Sequence, residues 1–318
     1  MNPNTSSQSP LMGCLLMLTA ALSWGGMFPV AKATLQVVDP YFLTLIRYGV
    51  TALIMVAILW AVEGRAALSA EGRGAALFLF GCAGFCGFSL FVFTGLRAST
   101  PAHGAILVAL MPLLTAVVTA VMSRTMPTWH TGLSIMIAFL GVAMVVTDGR
   151  PHALLESNSL GADGLILAGV LSWVIYTLGA RRFAGWSPLR YSVLTVSFGV
   201  GGIALSTVVA VFAGAARLPA ASELTASLPS FVYIIVLASI VAVIGWNEGV
   251  RRLGPVNGVL FINFVPITAF VIQAVQGQPV SAWEVGGGGM VILALLLNNF
   301  MQRPRRQEEP VPTCSQPA

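Results

Sequence analysis

Charge is what this chain has least of. Of its 318 residues, 8% are charged and 57% are hydrophobic. A soluble domain carries about 25% charged residues. So little charge leaves nothing with which to cover a water-facing surface, and the composition points to an integral membrane protein with the lipid bilayer as its partner. Lysine is nearly absent: Lys32 is the one lysine among 16 basic residues. The formal net charge of +5 comes from arginines scattered between apolar runs. They form no basic stripe, so no nucleic-acid partner is expected.

Catalytic signatures are missing as well. There is no GxxxxGK, which excludes a built-in nucleotide-hydrolysing motor, and no HExxH or GxSxG. Three scattered histidines make no metal cluster, so no catalytic residue, metal or cofactor is expected. The four cysteines, Cys14, Cys82, Cys86 and Cys314, include no CxxC pair. Cys82 and Cys86 lie one helical turn apart and read as small buried apolar residues. The start, MNPNTSSQSP, has no positive n-region, so the first apolar span is expected to be retained.

What is present is a series of apolar stretches, each about 20 residues long, the length that crosses a ~30 Å hydrocarbon core. Ten fit, at 11–32, 41–62, 75–96, 101–122, 129–147, 160–181, 189–213, 229–250, 255–276 and 281–301. The expected organisation is a polar tail over 1–10, a first unit over 11–148, a linker over 149–159, a second unit over 160–301 and a tail over 302–318. With the N-terminus placed in the cytoplasm, 11 basic residues fall on cytoplasmic segments and 4 on outer ones, with Arg47 inside a span. That bias favours both termini inside and an even span count.

The two units resemble each other. The block GLRASTPAHGAILVALMPLLTAVVTAVMSRTMPTW at 95–129 returns as GVRRLGPVNGVLFINFVPITAFVIQAVQGQPVSAW at 249–283. Gly95, Arg97, Pro101, Gly104, Pro112 and Trp129 match Gly249, Arg251, Pro255, Gly258, Pro266 and Trp283 without a gap. Leu22-Ser23-Trp24 is echoed by Leu171-Ser172-Trp173, and Asp39-Pro40 by Ser187-Pro188. Five spans per unit is an odd number, so the second unit enters the membrane from the opposite side. Inverted repeats of this kind underlie alternating access in many secondary transporters. A proline within a helix costs ~3 kcal/mol in water and is tolerated in a membrane where neighbours re-satisfy the freed carbonyl. Pro101, Pro112, Pro255 and Pro266 are therefore read as kinks that permit gating.

LSWGGMFPVAK, DPYFLTLIR, TGLRASTPAHGAILVALMPLLTA, LSWVIYTLGAR and WNEGVRRLGPVNGVLFINFVPITA together make the chain resemble the drug/metabolite transporter superfamily, specifically its ten-span EamA-type permeases. The resemblance covers about 11–301. It implies an all-α bundle of ten transmembrane helices in two inverted five-helix repeats. It also implies a multi-pass protein of the cytoplasmic membrane, monomeric or weakly dimeric, that exports a small molecule such as an amino acid or amphipathic compound. A membrane-embedded enzyme acting on a lipid-like substrate, a drug efflux permease of the same fold and a pore are the rivals.

Candidate substrate-binding residues are the polar and aromatic side chains within or at the rims of spans. Arg47 lies ~9 Å below the outer interface at 1.5 Å per residue. It reads either as a carboxylate- or phosphate-binding fork or as an anchor for backbone carbonyls. Lys32 either joins Arg47 in a cationic outer vestibule or snorkels to the interface. Glu248, beside Trp246 and Asn247, is taken as the one acidic residue in a span's polar fringe. It is a coupling carboxylate or a partner of Arg251 and Arg252 at i+3 and i+4. Asn263 sits three residues before Pro266, near the midplane, for a substrate or an interhelical hydrogen bond. Trp24, Trp173, Tyr176, Phe91 and Phe93 would wall an apolar cavity or simply pack. His103 starts span 4 as a titratable or merely interfacial group. Arg47, Asn263, Glu248 and His103 fall opposite Thr195, Ala109, Thr94 and Asn257 in the other repeat. These unmatched positions, with Thr94 and Asn247 among them, are where substrate contacts are expected. Gly81, Gly84, Gly87 and Gly286 to Gly289 are read as sites of close helix approach.

Overall fold

The computed structural model describes residues 10–126, 128–149, 159–253 and 261–301. Among them there are helices and no strand. The main elements are α1 (Pro10–Thr34), α2 (Pro40–Glu63), α3 (Gly74–Ala98), α4 (Pro101–Ala109), α5 (Met111–Ser123), α6 (Trp129–Thr147), α7 (Ser159–Gly179), α8 (Pro188–Phe212), α9 (Leu228–Leu253), α10 (Phe264–Val275) and α11 (Ala282–Met301).

The caps explain where helices start. Asp39 accepts a hydrogen bond from Tyr41 N, with Pro40 in the first turn of α2. Ser187 does the same for Arg190 N ahead of Pro188 and α8. The echoed Asp-Pro and Ser-Pro pairs are thus equivalent N-caps, with proline where its missing N–H costs nothing. Pro101 plays that part for α4, behind the Thr100 cap. It begins a helix and does not bend one, which corrects its reading as a kink. A bend does occur at Leu110, where α4 and α5 meet at 41°, immediately before Pro112. In the other repeat Pro266 lies in the first turn of α10, behind a break at Ile262 and Asn263. Pro255 and Asn257 lie outside the described residues. Pro29 sits inside α1, a position the sequence reading did not single out.

Among the described residues six helices are long and apolar enough to cross a membrane, and the bent pair α4–α5 makes a seventh. Three further apolar helices, α6, α10 and α11, stand where the fifth, ninth and tenth spans are expected. The protein is therefore all-α and multi-pass.

Side-chain contacts fix the helix directions. Lys32, near the end of α1, donates to the carbonyls of Leu96, Arg97 and Ser99 at the end of α3. Asp163, in the first turns of α7, accepts from Ser99 Oγ at 2.6 Å. So α7 begins on the face where α1 and α3 end, and the repeat mates α1 and α7 run in opposite directions. We call that side the far face and the side where α1 begins the near face. The packing maps onto itself when the repeats are exchanged. Helix α1 packs on α9 and α10, while α7 packs on α3, α4 and α5. Helix α2 touches α9 as α8 touches α3, and α2–α8, α6–α11 and α4–α10 pair across the pseudo-axis.

Both α3 and α9 contain π-helical turns, at Cys82–Gly87 and Tyr233–Val241. At the repeat offset of 154 positions, the first falls within the second. Such turns are rare, frequent at functional sites, and shift the carbonyl ladder by one residue.

Candidate functional site

The π-helical turn of α9 delivers Ser239 to Arg47. Ser239 Oγ donates to Ile234 O, five residues back, at 2.9 Å, and accepts from Arg47 Nε at 2.8 Å. Arg47 is only 4% exposed. Its guanidinium carbon lies 4.7 Å from the Tyr48 ring centre and 5.7 Å from that of Phe93, which holds the cation against ring faces. Ser89 Oγ donates to Tyr48 Oη at 3.2 Å and fixes that ring. Trp24 Nε1 donates to Ala238 O at 3.0 Å, beside Ser239, and its ring packs tilted against Trp246, centres 5.2 Å apart. Arg47 Nη1 is buried with no hydrogen-bond partner, and so is Thr51 Oγ1, one turn along α2 on the same face. Among the described residues no carboxylate pairs with Arg47.

The equivalent place in the other repeat is filled by rings. Ser239 corresponds to Phe85, which packs edge-on against Tyr48, Trp173 and Tyr176. Tyr176 stacks on Tyr191, 5.1 Å away. Arg47 corresponds to Thr195, whose hydroxyl is consumed by Tyr191 O and Ser192 O. Trp173 and Tyr176 therefore join an aromatic core and do not line the Arg47 site.

A second polar cluster closes the far face. His103 Nδ1 is 3.1 Å from Asp163 Oδ2, and its Nε2 is 3.5 Å from Glu284 Oε1. Asp163 is 2% exposed and Glu284 6%. Thr100 Oγ1 donates to Glu284 at 3.3 Å, as does Ser281 N at 2.9 Å. Ser281 Oγ also reaches Asp148. His103 thus ties α4 to α7 and α11. The near face has its own tie. Arg190 pairs with Glu71 at 2.6 Å, lies 4.0 Å over the Trp186 ring, and bonds Ser69 O. Arg190, and after it Trp186, hold the Glu71 carboxyl below the usual carboxylate range, so this tie persists through neutral pH and is lost only as pH falls through that lowered value.

Several expected site residues lie elsewhere. Lys32 makes no vestibule with Arg47. Its ammonium caps the last carbonyls of α3, a site that favours a cation. Glu248 is bonded by Arg251 and Arg252 at 2.5 to 2.7 Å, the local pairing, and among the described residues the buried acidic groups are Asp163 and Glu284. Phe91 and Thr94 lie on the exposed side of α3. Asn263 is buried at the N-cap position of α10. Asn247 is half-buried on α9, its Nδ2 without a partner. The sequence reading missed Ser239, Thr51, Asp163 and Glu284. Asp163 and Glu284 carried a usable signal: each falls in the first turns of a span starting on the same face as His103.

Two apolar grooves, of about 220 and 380 Å³, open between α2 and α8 and between α2 and α9. Neither is lined by the residues above.

The family model described as "EamA-like transporter family" matches this chain twice, over residues 11–147 and 160–300. The uncharacterized transporter YrdR of Bacillus subtilis (strain 168) is 38% identical over 296 residues, covering 92% of each chain. The uncharacterized transporter YyaM of the same organism is 28% identical over 284 residues, covering 89% of this chain and 92% of that one. A solved crystal structure superposes with a TM-score of 0.63 at 20% identity, over 93% of this chain and 100% of that one. That likeness concerns the fold alone.

Proposed function

The chain belongs to the EamA-like transporter family, and from that premise we propose that it is a secondary transporter moving a small metabolite by alternating access. One observation carries the mechanism: repeat mates run in opposite directions and their contacts exchange with one another. A structure closed by His103 on one face and by Arg190 on the other then has a partner state, of similar energy, with the roles of the repeats exchanged. The units over 11–148 and 160–301 rock about the α2–α8 and α6–α11 pairs. The arginine bias supports residence in the cytoplasmic membrane with both termini inside, and the aromatic surroundings of Arg47 favour an amino acid or amphipathic compound, moved outward.

Counterflow in proteoliposomes tests the reading. A carrier accelerates uptake of labelled metabolite when unlabelled metabolite is trapped inside. An enzyme converts the compound, and a pore gives no saturable exchange, and either result refutes it. Labelling of a cysteine introduced within 310–318 by an impermeant thiol reagent in intact cells would overturn the orientation.

Pro112 sits at the 41° bend, where its missing N–H weakens the ladder between α4 and α5. Pro112→Ala should restore that hydrogen bond, straighten the pair and slow counterflow roughly fivefold with the melting temperature unchanged. An unaltered rate would reduce the proline to a packing feature.

A further inference from the structure

We infer that Arg47, with Ser239 and Thr51, is the binding site for the carboxylate of a transported monocarboxylic acid. This rests on the transporter reading and names its substrate class.

The argument begins with an unsatisfied charge. Arginine stays ionised in proteins and presents five N–H donors. Arg47, almost wholly buried, uses one hydrogen bond, to Ser239 Oγ. Its Nη1 donates to nothing. A buried charge is ordinarily paired, and leaving it so costs several kcal/mol. No described carboxylate supplies the counter-ion, and the Tyr48 and Phe93 ring faces only partly replace it. The missing partner is an anion from outside the chain.

Its chemistry follows from what is offered. Among the described residues the site holds one positive charge and no second cation: Lys32 is occupied by three carbonyls at the end of α3. A monoanion balances it, whereas a phosphate dianion leaves a buried negative charge. The unused edge of the guanidinium is a planar fork matched to the two oxygens of a carboxylate. Thr51 Oγ1 adds an unpartnered hydroxyl one turn away. Trp24, Tyr48 and Phe93 give the remainder of the molecule apolar ring surface.

The repeats supply an independent argument. The pseudo-symmetric place, at Thr195 and Phe85, has its hydroxyl satisfied and its space filled by rings. Of two equivalent places beside two π-helical turns, only the Arg47 one keeps unspent polar valence. Substrate needs one site on the path, and this asymmetry marks which.

The test uses the purified full-length protein in detergent. Phenylacetate, 3-phenylpropionate and hexanoate are compared with their neutral amides, with phenethylamine and with phenyl phosphate by ligand-induced thermal shift. Carboxylates are expected to stabilise the wild type and the others to have little effect. Arg47→Gln is expected to weaken carboxylate binding on the order of 10- to 100-fold. Arg47→Lys keeps the charge but loses the fork and recovers part of that loss, and Ser239→Ala, which frees Arg47 Nε, keeps carboxylate selectivity. Equal stabilisation by the amides, preference for the phosphate or the amine, no response to any carboxylate, or unchanged binding in a folded Arg47→Gln protein overturns the proposal. Carboxylate binding without counterflow would leave the site standing and overturn the transporter reading. Counterflow unaltered in rate and selectivity in Arg47→Gln would do the reverse.

Discussion

Gly81→Val is expected to destabilise the fold strongly, and Gly287→Val to do nearly the same. A Cβ at Gly81 falls on the carbonyl oxygen of Thr195 and 2.8 Å from Gly199 N, and Gly199 meets Gly81 O in return. A Cβ at Gly141 lies 2.6 Å from Gly287 O, and one at Gly287 falls on Gly141 O. These are backbone atoms of α8, α6 and α11, with no side-chain rotamer to yield, so the helices must part. In a bilayer, where lipid is as apolar as the core, close backbone approach is a main source of helix association. Overpacking costs about 1–3 kcal/mol where side chains can adjust, and the rigid contact here belongs at or above the top of that range. A fall in melting temperature of roughly 10 °C or more follows. Gly289, two residues from Gly287, has nothing within 4 Å of its Cβ position, so Gly289→Val should behave as wild type. Size-exclusion profiles and melting curves of the three variants decide it. Equal behaviour of Gly287→Val and Gly289→Val would mean that helix contact is not what the glycines provide.

Gly81, Gly84 and Gly287 were readable as contact positions because small residues in a membrane span have few other uses. The bend beside Pro112 and the Asp-Pro and Ser-Pro pairs ahead of two helices were readable because they act through their own backbone, within a few residues. The pairing of Glu248 with Arg251 and Arg252 was legible for the same reason, at i+3 and i+4. Arg47 and Ser239, in contrast, are separated by 192 positions, and His103 and Asp163 by 60. No local pattern links them. Nor does the apolar pattern report which side of a membrane helix faces inward, because lipid and protein interior are equally apolar. Phe91 and Thr94 therefore looked like site residues and turned out to lie outside, one and two positions from buried Phe93 and Val92. The π-helical turn that delivers Ser239 shifts the register within α9 and has no signature in residue type.

His103→Ala is expected to open the far face. The imidazole, 12% exposed, is the shared partner of two buried carboxylates, on α7 and α11, and its own helix starts the broken α4–α5 pair. The other described charged groups of that face are Lys32 on α1, held by carbonyls of α3, the Arg97–Asp39 pair, the Arg217–Glu223 pair between α8 and α9, and Asp148 after α6 on Ser281; α5 and α10 contribute no ionisable residue. None of these pairs with Asp163 or Glu284. Removing one partner of a buried pair costs about 3–5 kcal/mol when the remaining charge stays dry. Partial access to water at the rim reduces that, and opening the face removes it by hydrating Asp163 and Glu284. The lost contact therefore shifts the balance between closed and open far faces. A shift of even 1.4 kcal/mol is about tenfold in population. Ala102, fully buried beside His103, reports it. With the four native cysteines replaced, Ala102→Cys should react with an impermeant thiol reagent at least about tenfold faster in His103→Ala than in the parent. Glu284→Gln, which retains an oxygen for Thr100 and Ser281, should fall between. Unchanged labelling in both variants, with melting curves showing folded protein, would mean that the face is held by packing of α4 on α10 and α7 and that the buried carboxylates have no part in closing it.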